Sequence, residues 1–260
     1  MAGTMHQPQD RKCELSRTLV DARRRAGGLA SFPGPLPGSL SEAYAVQSLS
    51  RAGWPDRVIG WKVGGIPPQH RAALGEDRLS GPIFARRLAS ARAGETSPMP
   101  VFADGFAAIE PEFVLQLGDT RERDRLYVGV EIASSPLVAI NDIGPLAVVC
   151  DFGNNNGLLI GNEIVDWQGW SGRPLEVTAT INGVEVGRKE EHNLPLQVAL
   201  ARDFLFDLAK REGLPVGPGQ YISTGAITGV HDARCGDRSV LDFGEFGTIE
   251  IELVPEQPLP

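Results

Sequence analysis

The sequence predicts an α+β fold with a β-rich core and an N-terminal helical cap. Helical periodicity dominates the first 55 residues, many short runs of β-branched and apolar residues follow, and one further amphipathic segment interrupts them. Few helices among many short strands indicate a β-rich core rather than an alternating array of strands and helices. With 260 residues, the chain can bury a large core without disulfides or a structural metal.

The N-terminal part of the chain predicts two helices. Apolar residues recur at helical spacing within residues 1–30 and again within 41–52, and a proline- and glycine-rich linker at 32–39 separates the two segments. We therefore expect a helical cap over 1–55 and a β-rich domain over 56–260.

The second part of the chain predicts strands bounded by glycine and proline. Asn182-Gly183, between two such runs, is a strong signal for a two-residue hairpin turn. One helix is predicted over 195–211, where apolar residues recur on one face and Gly213 follows. The predicted strands are 58–63, 81–84, 107–117, 127–132, 146–149, 157–160, 175–181, 184–187, 220–224, 238–243 and 247–253.

Charge and composition exclude several classes of function. The net charge is −8, and the short basic clusters at 23–25 and 86–87 are better explained as solvated helix faces than as a nucleic-acid footprint. An acidic protein that takes an anionic substrate needs local positive charge or a bound metal to recruit it. The sequence has no apolar stretch of the ~20 residues that span a bilayer, and its N-terminus lacks the apolar centre of a signal peptide.

The three cysteines, Cys13, Cys150 and Cys235, are far apart in the sequence and form no C-x-x-C motif. This pattern is typical of a reducing compartment and argues against a disulfide framework or a zinc-thiolate site. We therefore expect a cytoplasmic protein that does not associate with a membrane.

An acidic pair stands out inside the predicted strand 107–117. Glu110 and Glu112 flank Pro111, and residues two apart in a strand point to the same face. Adjacent carboxylates repel each other and are costly to bury, and a divalent cation resolves both problems. Oxygen ligands suit Mg²⁺ or Mn²⁺ better than zinc. Spacing alone does not distinguish this site from a solvated face.

Two further charged residues interrupt apolar strands. Glu131 lies in Y-V-G-V-E-I-A and is a candidate third ligand, although an acid on an edge strand would face solvent. Lys62 lies in V-I-G-W-K-V-G-G, where an apolar environment would lower its pKa and suit it to proton transfer. The alternative is an edge-strand lysine whose ammonium group reaches solvent.

Two loops are dense in polar side chains. Residues 151–157 (D-F-G-N-N-N-G) form either a simple turn or an element that orients a water or a carbonyl oxygen. Residues 223–229 (S-T-G-A-I-T-G) follow a predicted strand and offer hydroxyl and backbone N–H donors. The sequence contains no H-E-x-x-H, G-x-S-x-G or G-K-[ST] motif, which disfavours zinc hydrolases, serine hydrolases and phosphate-loop enzymes.

Taken in order, these segments resemble the fumarylacetoacetate hydrolase superfamily, and most closely its 2-keto-4-pentenoate hydratase and 4-oxalocrotonate decarboxylase branch. The resemblance covers about residues 40–253. The matching pieces are G-W-K-V-G (60–64), G-P-I-F (81–84), I-E-P-E-F-V-L (109–115), V-E-I-A-S-S (130–135), L-L-I-G (158–161), I-N-G-V-E-V-G (181–187), Y-I-S-T-G-A-I-T-G (221–229) and G-D-R-S-V-L-D-F-G-E-F-G-T-I-E-I (236–251).

The resemblance implies a catalytic domain of mixed, rolled sheets and a metal held by three carboxylates. Its site residues fall on the following positions: metal ligands Glu110, Glu112 and Glu131, the strand lysine Lys62, and the substrate contacts Thr224 and Gly225. The family's D-N-A-S-x-G loop corresponds to F-G-N-N-N-G here, which puts Asn155 near that serine as a candidate for orienting water.

The function that the resemblance implies is metal-dependent hydration of a small 2-oxo acid, a 2-oxo-4-enoate such as 2-keto-4-pentenoate, in aromatic catabolism. The alternatives are decarboxylation of a 4-oxalocrotonate-type acid or C–C bond hydrolysis, which use the same metal site, and a non-catalytic partner subunit. The resemblance also implies a homo-oligomer that can associate with a related decarboxylase or hydratase.

Overall fold

The computed structural model describes residues 8–170 and 173–259, so the first seven residues of the predicted N-terminal helix lie outside it. No helix in the described ranges is long and apolar enough to cross a membrane. The helices are α1 (Pro8–Arg24), α2 (Leu40–Gly53), α3 (Pro68–Leu74), α4 (Ile140–Ile143), α5 (Pro145–Cys150) and α6 (Leu194–Glu212).

The ends of the longer helices follow their capping residues. The Ser39 side chain accepts a hydrogen bond from the Glu42 backbone N–H at the start of α2, and Asn193 does the same for Leu196 at the start of α6. Gly213 ends α6 in the left-handed conformation, where glycine carries no Cβ penalty. These ends agree with the predicted helices at 41–52 and 195–211 to within one residue.

The strands form two mixed sheets, and the predicted α+β fold with a β-rich core is confirmed. The strands are β1 (Val58–Gly65), β2 (Arg78–Phe84), β3 (Leu88–Ser90), β4 (Thr96–Val101), β5 (Phe106–Gln116), β6 (Arg125–Ser135), β7 (Asn155–Glu163), β8 (Leu175–Ile181), β9 (Val184–Glu191), β10 (Tyr221–Ser223), β11 (His231–Asp232), β12 (Arg238–Asp242) and β13 (Thr248–Pro255).

The larger sheet has the order β2-β1-β10-β5-β6-β7-β3, with β11 paired to β5, and the smaller has the order β4-β13-β12-β8-β9. Apolar side chains from both sheets and from α6 share one large core, which includes Trp61, Phe113 and Phe243. Asn182 and Gly183 both have positive φ, as the predicted hairpin turn between β8 and β9 requires.

The N-terminal helices pack on a second apolar cluster beside the larger sheet. Leu19 of α1, Val46 of α2 and Val149 of α5 lie in this cluster and are almost completely buried. Two predictions fail here. The strand expected at 146–149 is helix α5, because burial on all its sides gives a short helix the same continuous apolar pattern as a buried strand. Arg23, expected on a solvated face, is 3% exposed.

Candidate active site

Strands β5 and β6 bring three carboxylates together. Glu110 and Glu131 are direct partners across the two strands, and Glu112 lies two residues further along β5 on the same face. One oxygen of each lies within 4.8 Å of the other two, and all three residues are buried. We call Glu110, Glu112 and Glu131 the acidic triad. The sheet therefore buries this face instead of leaving it solvated.

Neighbouring strands supply hydrogen bonds to two members of the triad. Ser223 on β10 donates its single hydroxyl hydrogen to Glu112 Oε2, and its Oγ also lies 3.2 Å from Glu131 Oε2. The Gly225 N–H donates to Glu112 Oε2 at 2.9 Å. Asn155 on β7 donates through Nδ2 to Glu131 Oε1 at 3.0 Å. These donors fix the orientation of the carboxylates, as second-layer partners do at metal sites.

The donor set fits a divalent metal ion. Glu112 Oε1 is buried and has no hydrogen-bond partner among the described residues, which is costly for a carboxylate oxygen without a cation. Mg²⁺ and Ca²⁺ bind oxygen at about 2.0 to 2.6 Å, so ligands of one ion lie no further apart than about twice that distance. The oxygens of the acidic triad lie within 4.8 Å of one another, which meets this limit for Ca²⁺ and is close to it for Mg²⁺.

Two members of the acidic triad, Glu110 and Glu112, resist ionisation in the absence of a cation. Burial raises the pKa of Glu110 to about 7; the positive charge of Lys62 partly opposes this rise and the charge of Glu131 adds to it. Burial and the charges of Glu131 and Glu110 raise the pKa of Glu112 well above its usual range. A bound cation would favour the ionised forms, so the site is electrostatically suited to one.

Lys62 lies beside the acidic triad and inside the sheet, because β1 is flanked by β2 and β10. Its Nζ lies 3.4 Å from Glu131 Oε1 and donates a hydrogen bond to Asn154 Oδ1 at 3.3 Å. Burial opposes the charge of Lys62, but the carboxylates of the acidic triad outweigh this effect and raise its pKa. The predicted lowering of this pKa is therefore wrong, and the lysine is an ammonium group here.

A left-handed turn places residues 151–157, called the asparagine loop here, over Lys62. Phe152, Gly153 and Asn154 all have positive φ, which costs roughly 1 to 2 kcal/mol for each residue other than glycine. The turn packs on Gly81 of β2, where a Cβ atom would clash with the Phe152 carbonyl oxygen. Glycine at position 81 therefore allows the close approach that brings Asn154 to the lysine.

The site opens into a cavity of about 710 Å³. Its lining includes Lys62, Glu110, Asn154, Thr224 and Gly225, so these residues share one solvent-accessible space. Thr224 Oγ1 donates to the Phe113 carbonyl oxygen and the Gly225 N–H donates to Glu112, so both residues are held rigidly at the wall. Their predicted contact with substrate stays a prediction.

Asn155 points toward the acidic triad, whereas its neighbour Asn154 lies in the cavity wall. Its amide donates to Glu131 and also contacts the Gly157 carbonyl oxygen at 3.5 Å, whereas Asn154 lines the cavity. The role of Asn155 in orienting water stays a prediction, and Asn154 is the asparagine with access to a ligand.

Sequence reasoning missed three residues that support the site. Ser223 lies within the predicted strand 220–224, and it shares the face of the acidic triad because it pairs with Val114, two residues from Glu112. The sequence could not indicate which of the three asparagines contacts Lys62. Asn154 does so because of the left-handed turn, which depends on tertiary packing. Arg78 lines the cavity, but it was missed because it belongs to no recognisable sequence motif at the start of β2.

The fold is that of 4-oxalocrotonate decarboxylase and fumarylpyruvate hydrolase, in agreement with the fold that the ordered motifs predict. The solved structure of 4-oxalocrotonate decarboxylase from Pseudomonas putida G7, complexed with magnesium and adipate, superposes with a TM-score of 0.73 at 18% identity and covers 96% of this chain and 99% of that chain. Fumarylpyruvate hydrolase from Pseudomonas aeruginosa, in complex with Mn²⁺ and pyruvate, superposes with a TM-score of 0.54 at 18% identity. The superposition covers 78% of this chain and 91% of that chain. No family model and no curated protein sequence matches the chain.

Proposed function

We propose that this protein is a divalent-metal-dependent lyase that hydrates a small 2-oxo-4-enoate such as 2-keto-4-pentenoate. The observation that carries the proposal is the buried acidic triad beside Lys62 in the wall of a cavity. Three acids and a lysine buried together are expensive to maintain without a function that uses them. The cavity gives a small molecule access to the acidic triad and to Lys62.

The similar structures support the metal and the class of ligand. The decarboxylase structures contain calcium with acetate or magnesium with adipate, and the hydrolase structure contains Mn²⁺ with pyruvate. Carboxylates and a 2-oxo acid thus accompany a divalent ion in proteins of this fold. For the present chain we propose Mg²⁺ or Mn²⁺, held by Glu110, Glu112 and Glu131.

The metal would supply Lewis-acid stabilisation of the negative charge that develops on the 2-oxo oxygen of the substrate. The chain's own residues then have separate tasks. Lys62, as an ammonium group at the cavity, transfers a proton to or from the carbon chain of the substrate. Asn154 lines the same space and accepts from the lysine through its Oδ1. Its Nδ2 has no hydrogen-bond acceptor among the described residues, so it can orient a water.

Decarboxylation of a 4-oxalocrotonate-type acid, or hydrolysis of a C–C bond, is the second candidate function. The observation that favours decarboxylation is the superposition of almost the whole chain on 4-oxalocrotonate decarboxylase, while the hydrolase covers less of it. A non-catalytic partner subunit is the third candidate, and the complete acidic triad and Lys62 argue against it.

The cellular setting belongs to the same proposal. We place the enzyme in the cytoplasm, in the catabolism of aromatic compounds, and we expect a homo-oligomer that can associate with a related decarboxylase or hydratase. Size-exclusion chromatography with light scattering measures the oligomeric state directly. A monomer at micromolar concentration would contradict this part of the proposal.

The reaction can be assigned by supplying 2-hydroxypenta-2,4-dienoate and 4-oxalocrotonate in separate assays with Mg²⁺ and with excess EDTA. Loss of the dienoate ultraviolet band in the presence of Mg²⁺, without release of CO₂, is the result expected for hydration. Release of CO₂ from 4-oxalocrotonate would assign the second function instead. Full activity in EDTA would overturn the metal-dependent mechanism for either reaction.

A further inference from the structure

Arg78 faces the cavity without a carboxylate partner. Its side chain lines the wall, and within the described ranges of the chain no carboxylate oxygen lies within 4.0 Å of its guanidinium nitrogens. Its one hydrogen bond in these ranges runs from Nη1 to the Thr224 carbonyl oxygen at 3.4 Å. A guanidinium group has five N–H donors, so most of those of Arg78 remain available to a ligand.

The position of Arg78 is set by the pairing of β1 and β2. Lys62 pairs with Gly81, and Gly65 pairs with Arg78. Three residues along a strand correspond to about 10 Å, so the backbone of Arg78 lies about 10 Å along the sheet from the backbone of Lys62. Its Nη1 also lies near Gly225, on the same wall. The guanidinium group therefore lies on the cavity wall beside Gly225, whose N–H donates to Glu112, so one small ligand can reach both Arg78 and the acidic triad.

A second arginine raises the positive charge at this end of the cavity. Arg71 of α3 lines the same space, donates through Nε to the Ile66 carbonyl oxygen at 2.7 Å, and lies 3.8 Å from Asp77 Oδ1. Asp77 also lines the cavity and offsets one positive charge. Two arginines against one aspartate leave this end with a net charge of +1, in a protein with a net charge of −8.

We propose that Arg78, supported by Arg71, binds a second carboxylate at the far end of the substrate, so that among 2-oxo-4-enoates the enzyme prefers diacids over monoacids such as 2-keto-4-pentenoate. This inference rests on the proposed function, in which the acidic triad and its metal take the 2-oxo acid end. A planar guanidinium group can form two parallel hydrogen bonds to a carboxylate, which makes arginine suited to this recognition.

The proposed subsite also bears on the choice of reaction. An arginine that binds the distal carboxylate stabilises its negative charge in the ground state, and that charge is lost when the same carboxylate leaves as CO₂. Hydration and C–C bond hydrolysis keep the carboxylate charged throughout. The subsite therefore favours hydration or hydrolysis of a diacid over decarboxylation at that end.

The test compares two unreactive acids of the same length, 2-oxoadipate and 2-oxohexanoate, by isothermal titration calorimetry in the presence of Mg²⁺. The wild-type enzyme should bind the diacid roughly tenfold more tightly or better, as expected for one charge-assisted hydrogen-bonded pair. Arg78→Gln should remove the preference and Arg78→Lys should restore part of it. Arg238→Gln, an exposed arginine on β12 paired with Glu252, is the matched control and should keep the preference.

The outcomes separate the subsite from the proposed function. Equal affinity of the wild-type enzyme for the two acids would overturn the subsite and leave the 2-oxo acid site standing. Binding of neither acid would overturn both. A preference for the diacid that survives in Arg78→Gln, with a circular dichroism spectrum like that of the wild type, would overturn the assignment to Arg78.

Discussion

Glu110 and Glu131 face each other directly across the antiparallel pair β5–β6, and they are 4% and 0% exposed. Directly opposed Cβ atoms lie about 4.5 to 5.5 Å apart, so the two carboxylates share one small volume. Glu112 joins them, and Lys62 contributes a single positive charge in contact with Glu131. Three buried acids against one buried ammonium group leave an imbalance that a divalent cation would correct.

This imbalance predicts an unusual dependence of stability on pH when the metal is chelated. The pKa of Glu110 is about 7 in the folded protein, against an ordinary value of 4.5, so between these pH values the folded state binds the proton and the unfolded state does not. Stability should therefore fall as pH rises from about 4.5 to about 7, by about 1.4 kcal/mol per unit of pKa shift. The raised pKa of Glu112 adds to the fall.

Thermal unfolding in EDTA between pH 5 and pH 8 measures this effect. Glu110→Gln removes one of the two titrating groups and should make the profile shallower, while Glu122→Gln, a substitution at an exposed position, should leave it unchanged. A melting temperature that rises steadily over this range in EDTA would contradict the prediction.

Replacing Lys62 by Met should separate turnover from metal binding. We expect kcat to fall by roughly 10²- to 10⁴-fold, the usual contribution of a proton-transfer residue. Affinity for Mn²⁺ should be kept or improved, because a positive charge 3.4 Å from Glu131 is removed. Steady-state kinetics and metal titration measure the two effects.

The matched control for this substitution is Lys210→Met, which changes an exposed lysine on α6. It should alter neither kcat nor metal affinity. If Lys62→Met retained wild-type kcat, the assignment of proton transfer to this lysine would be wrong.

Gly81 controls the position of the asparagine loop. In Gly81→Ala the new Cβ would clash with the Phe152 carbonyl oxygen, so the left-handed turn must move away from β2. Asn154 then loses its contact with Lys62, and we expect a fall in kcat of at least about tenfold, as small misplacements of reacting groups can cost more. Metal affinity should change less than kcat, because the acidic triad lies on β5 and β6 and the loop contacts it through the Asn155 amide.

A control alanine at Gly53, at the end of α2, meets no atom within 4 Å and should preserve kcat. The same kinetic assay compares the two variants. Unchanged kcat in Gly81→Ala would show that the loop does not need its close contact with β2.

Arg23 fixes helix α1 to the start of the asparagine loop. Its guanidinium group bonds both carboxylate oxygens of Asp151, at 2.5 and 2.9 Å, and also the Ser134 and Asn155 carbonyl oxygens. Arg23→Ala would leave the Asp151 carboxylate buried and unpaired, so we expect a loss of about 3 to 5 kcal/mol in the free energy of unfolding.

Urea denaturation of Arg23→Ala, Asp151→Asn and the double variant measures this coupling. The double variant should be less destabilised than the sum of the single variants, because its second substitution removes a partner that is already lost. Arg24→Ala is the exposed control and should cost little. Additive losses would show that the two residues do not act as a pair.

The strand pattern and the acidic pair could be predicted because both depend on local alternation. Glu110 and Glu112 are two residues apart in a long strand, so their shared face follows from backbone geometry. The edge strand β4 was not predicted, since Pro98 and Pro100 interrupt its pattern and prolines are tolerated at sheet edges.

The rest of the site depends on contacts between distant segments. Arg23 is buried by the loop that begins at Asp151, which lies 128 residues away in the sequence, and no feature of α1 indicates that partner. The pKa of Lys62 depends on three carboxylates on two other strands, so its sign could not be deduced from the apolar sequence around it. Long-range electrostatics and loop packing were therefore the parts that the sequence left undetermined.

The most direct test of the account is Mn²⁺ titration of the metal-depleted protein by calorimetry, beside Glu112→Gln and the exposed control Glu122→Gln. We predict one site per chain in the wild type and in the control, and at least about tenfold weaker binding in Glu112→Gln. In EDTA the Glu112→Gln variant should also melt at a higher temperature than the wild type, because a buried carboxylate oxygen without a partner is gone. Equal Mn²⁺ affinity in all three proteins, or no binding by the wild type, would contradict the three-carboxylate metal site.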